Sequence, residues 1–98
     1  MDQQHPVFDL NTFEGVVADI VARLDAESKE RIRKTPVGEL IMHHLGWGMG
    51  IRNHYGLWSN EALLKSCAGR AGYNDPFIHP DSASMLIMRA VWDVVKAQ

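Results

Sequence analysis

The fifteen residues His44–Trp58 hold four glycines, two tryptophans, a core-register histidine and the adjacent pair Arg52–Asn53. A second short run, His79-Pro80-Asp81, with Ser84 three residues on, adds a histidine and a carboxylate. If the fold brings His44, Arg52, His79 and Asp81 together, Arg52 can clamp an anion and a histidine can act as acid or base. The same residues also suit a structural role. His44 falls in the middle of an apolar stripe, where a hydrogen-bonded core histidine is the commoner case. Asn53 can satisfy a helix C-terminus. Arg52, next to that stripe, needs a counter-charge, and Asp81, read as the cap of the last helix, is expected to supply it. Trp47 and Trp58 fit core packing, or an interface, where Trp and Arg are enriched.

Other chemistry is poorly supported. No two of the five histidines stand at i,i+3 or i,i+4, and His43 and His54 would lie about 16 Å apart along one helix, so no metal site is expected. Cys67 follows Leu63 and Leu64 on an apolar face and reads as a buried, inert thiol. Gly46-x-Gly48-x-Gly50 follows no strand and has the wrong spacing for a phosphate loop. No catalytic set is complete, and no cofactor is implied.

The elements that must position these residues read as helices. Phe13, Val16, Val17, Ile20, Val21 and Leu24 form one face of an amphipathic helix capped by Asn11 or Thr12, with Gly15 a weak point. Asp25 caps a polar helix to about Lys34, whose basic end is either an anion patch or a solvated face. Thr35-Pro36 opens a third helix to about Asn53, with Val37, Leu40, Ile41, His44, Gly48, Ile51 and Tyr55 on one face. Gly46, Gly48 and Gly50 each cost about 1 kcal/mol against Ala in a helix, so they are expected to face close neighbours. A helix after Ser59-Asn60 is expected to stop at Gly69, and Tyr73 and Phe77 to pin the following loop to the core. The last helix, from Asp81, is apolar on most sides. The reading is a compact all-α domain over residues 1–98, of about five helices, with a glycine-rich third helix and a buried C-terminal one. Residues 1–10 read as a flexible arm.

Composition narrows the class. Ninety-eight residues, 46% of them hydrophobic, suffice for one modest core. A net charge of −2 disfavours a general nucleic-acid binder. The single cysteine, the polar start Met1–Pro6 and the lack of a long apolar run point to a cytoplasmic protein off the membrane.

The segment His44-x-Gly46-x-Gly48-x-x-Ile51-Arg52-Asn53-x-x-Gly56-Leu57-Trp58, followed by His79-Pro80-Asp81-x-x-Ser84, resembles a small bacterial family of unknown function. Its members share the first motif and a later H-P-D-D-M-S segment, and the similarity spans roughly residues 20 to 96. Ser82 and Ala83 replace the family's Asp-Met, and Gly50 a common aromatic. If that Asp is functional in the family, its absence weighs against an enzyme. The resemblance implies a fold and the location of a site, and no activity.

Two functions follow as expectations. The first is a small protein-binding module, an immunity protein or antitoxin-type inhibitor that covers a partner toxin and needs surface rather than chemistry. The second is a small-molecule or enzymatic domain built on the His/Arg/Asp group. A helix-turn-helix regulator is disfavoured by charge. The oligomeric state is not legible.

Overall fold

The computed structural model describes residues 7–73 and 78–98, the side chains of His44 and Leu45 excepted. The first helix, α1 (Phe13–Arg23), starts where the Thr12 hydroxyl accepts the Gly15 N–H at 3.0 Å. The Asp9 carbonyl accepts both the N–H and the hydroxyl of Thr12, which folds the chain tightly over the first turn. A Cβ at Gly15 would collide with that carbonyl, so the residue that weakens the helix on propensity is the one that permits its start. Phe13, Val16, Val17 and Ile20 are buried, as the periodicity requires.

Asp25 caps α2 (Ala26–Lys34) by accepting the Ser28 N–H at 2.7 Å. That bond, more than any charge, holds the Asp25 carboxyl below its ordinary pKa. The far end of α2 is tied from outside: Trp92 Nε1 donates to the Thr35 carbonyl at 2.7 Å and Lys96 Nζ to the Arg33 carbonyl at 3.2 Å. Orphan carbonyls of a helix end thus find donors on the last helix.

The expected third helix is not one helix. Its sequence forms a 3₁₀ segment (Val37–His43), a π segment (His44–Gly48) and a short α3 (Met49–His54). A 3₁₀ turn winds faster than an α turn and a π turn slower, so a stripe drawn at constant α pitch loses its phase. Leu40, Gly48, Ile51 and Tyr55 are buried as expected, but Val37 and Ile41 are 40% and 65% exposed. The close-approach reading of the glycines also fails at two positions. A Cβ at Gly46 or Gly50 would meet nothing within 4 Å, and Gly48 alone of the three is buried. A glycine penalty measured in α-helices weighs less where the backbone leaves α geometry. Gly56 (φ +65°) ends α3, and the Leu57 N–H returns to the Arg52 carbonyl at 2.9 Å, a Schellman closure.

Asn60 caps α4 (Glu61–Ala71), which ends at Gly72 (φ +80°) rather than at Gly69. Tyr73 is half exposed and does not pin the loop to the core, and Phe77 lies outside the described residues. The last helix, α5 (Pro80–Ala97), is the central post. Ala83, Ser84, Ile87, Met88, Val91 and Val95 are fully buried on it, and it packs against every other helical element. Its cap is His79, not Asp81. Pro80 occupies the first helical position, so the capping residue must be the one before it. Among the described residues there is no strand, and no helix is long and apolar enough to cross a membrane.

Candidate functional site

The end of α3 and the start of α5 meet at Arg52. Its side chain is almost wholly buried, with NH1 donating to Ser84 Oγ at 2.9 Å and Nε 3.4 Å from Asp81 Oδ1. Ser84 Oγ in turn donates to the Asp81 carbonyl at 2.9 Å. The expected meeting of Arg52 and Asp81 therefore occurs, although Asp81 reaches it from inside the first turn of α5 and not from the cap. Burying a guanidinium is costly unless its donors are matched, and these contacts engage its Nε and one terminal nitrogen.

His79 carries the capping role. Its Nδ1 accepts the Asp81 N–H at 3.0 Å, which requires Nδ1 to be unprotonated and places the ring proton on Nε2. Trp58 stands edge-on to this ring, with centroids 5.8 Å apart at 83°. Trp58 is 61% exposed, and the side chains of His79 and Asp81 are about half exposed. The Trp58–His79 contact thus adjoins the Arg52–Ser84–Asp81 group.

The other expected residues are distributed elsewhere. Asn53 is exposed on α3, and the side chain of His44 lies outside the described residues. Trp47 is partly buried and packs against the core from the π segment, in a cleft facing α2. Among the described residues no three His, Cys, Asp or Glu side chains could share a metal ion.

The chain belongs to a family known as a domain of unknown function, DUF6794. The family model matches residues 11–94, so both motifs fall within it. No curated protein and no solved structure matches the chain.

The DUF6794 chain also holds a polar cluster that sequence reasoning missed. Asp19, on the buried side of α1, accepts the Tyr55 hydroxyl at 2.6 Å and the Arg23 Nε at 2.9 Å. Burial first, then the bond to Asp19, pushes the Tyr55 phenol well above its ordinary pKa. The signal available was the i,i+4 pair Asp19–Arg23, which does not reveal that Tyr55 completes it. Cys67 is fully buried, and burial, with a smaller push from Glu14, raises its thiol to about 11. Such a thiol is a poor nucleophile near neutral pH, in keeping with its reading as inert.

Proposed function

We propose that this protein is a cytoplasmic protein-binding module, an immunity protein or antitoxin-type inhibitor of bacterial origin, and that Trp58 and His79 form its contact surface. One observation carries the reading: Trp58 is largely exposed and stands edge-on to His79, whose ring caps α5. Exposed Trp side chains are enriched among the residues that anchor interfaces. The alternative, an anion-binding or enzymatic site, finds less support. The Arg52 side chain is 5% exposed and engages Ser84 and Asp81, which leaves little of it open to a substrate. Affinity capture from the native host tests the proposal. The parent should retain a stoichiometric protein partner, and Trp58→Ala should lose it while melting like the parent. Robust turnover by the purified parent, abolished by His79→Ala without unfolding, would overturn it.

A further inference from the structure

A cleft of about 300 Å³ lies between α2 and the 3₁₀–π stretch, lined in part by Leu24, Ile32, Leu40 and Trp47. Its walls are preformed: Leu40 is buried, and the other three are partly buried and pack against the core. The volume is at the lower end for small-molecule sites and too small for a partner's helix. The rest of the lining is polar, Ser28, Arg31, Thr35 and His43, and contains no carboxylate.

Arg31 is the distinctive group. Of its basic neighbours, Arg33 pairs with Glu30 at 3.0 Å and Lys34 lies 4.0 Å from the same carboxylate. Arg31 itself is exposed: it donates to the Ser28 hydroxyl at 3.4 Å and its charge is felt by the Asp25 carboxyl, but among the described residues it makes no ion pair within 4.0 Å. A guanidinium presents a planar fork that matches one carboxylate, and a single such cation over apolar walls suits a monoanion with an apolar body.

We infer that this cleft binds a small aromatic or aliphatic carboxylate, its body against Ile32, Leu40 and Trp47 and its charged end at Arg31. The site includes none of Arg52, Trp58, His79 or Asp81, so it stands or falls apart from the partner-binding reading.

Titration calorimetry with 2-naphthoate and its neutral amide, 2-naphthamide, tests it. Naphthoate should bind the parent at least about tenfold more tightly than the amide, a difference of about 1.4 kcal/mol. Arg31→Gln should abolish that preference, and Ser28→Trp, which adds bulk to the lining, should weaken both ligands. Amide NMR shifts on naphthoate addition should centre on Leu24, Leu40 and Trp47. No measurable binding, equal affinity for acid and amide, or a preference that survives Arg31→Gln would overturn the inference.

Discussion

At the scale of single residues, the Arg52–Ser84–Asp81 group behaves as a structural post whose partners differ in exposure. Arg52 and Ser84 are buried, whereas the Asp81 side chain is 47% exposed and keeps access to water. Arg52→Ala should therefore cost about 3 kcal/mol, and Arg52→Lys nearly as much, because one ammonium cannot span both acceptors as a guanidinium does. Asp81→Asn retains an acceptor and should cost about 1 kcal/mol. Chemical denaturation of the three variants checks the order; an Asp81→Asn loss equal to that of Arg52→Ala would refute it. Cys67 and Tyr55 add a pH dependence. Both carry folded-state pKa values above their ordinary ones, so the stability they contribute is complete below pH 9. The Cys67 share is lost as pH climbs from 9 through about 11, and the Tyr55 share begins to go only above 10. Melting temperature should fall above pH 9, and Cys67→Ala should flatten the first part of that fall. Tyr55→Phe, which removes a bond to a charged group, should cost about 2 kcal/mol at pH 7.

At the scale of elements, α1 and α2 were legible because their signals are local: an oxygen-bearing cap on each, and on α1 a constant apolar period. The stretch from Val37 to His54 was not, because a helical wheel assumes one pitch and this chain uses three. The cap of α5 was recoverable. Pro80 marks the first helical position, and the residue before it then has to cap, even though it is a histidine. The site was half legible: Arg52 and Asp81 declared themselves by charge and register, but the Asp19–Tyr55 bond depends on how two helices pack, which no local pattern encodes. The glycines separate these cases experimentally. Gly15→Ala should destabilise by about 2 kcal/mol, since the new methyl meets backbone at Asp9. Gly46→Ala faces open space and should stay within about 0.5 kcal/mol of the parent. Thermal melts in which Gly46→Ala is the more damaging would contradict the packing described.

At the scale of the whole molecule, α5 organises everything else. Its first turn receives Arg52, its middle fills the core, and its last turns hold the end of α2 through Trp92 and Lys96. The consequence is a rigid helical body that presents Trp58 and His79 at one end of its central helix. Asp93, near the other end, is 12 residues beyond Asp81, about 18 Å along the axis. A photo-crosslinking residue placed at position 58, and separately at position 93, in the native host tests the central claim most directly. The account predicts a covalent adduct with one protein partner from position 58, absent from position 93. An adduct from position 93 alone, or a partner captured by the parent that position 58 never touches, would contradict it.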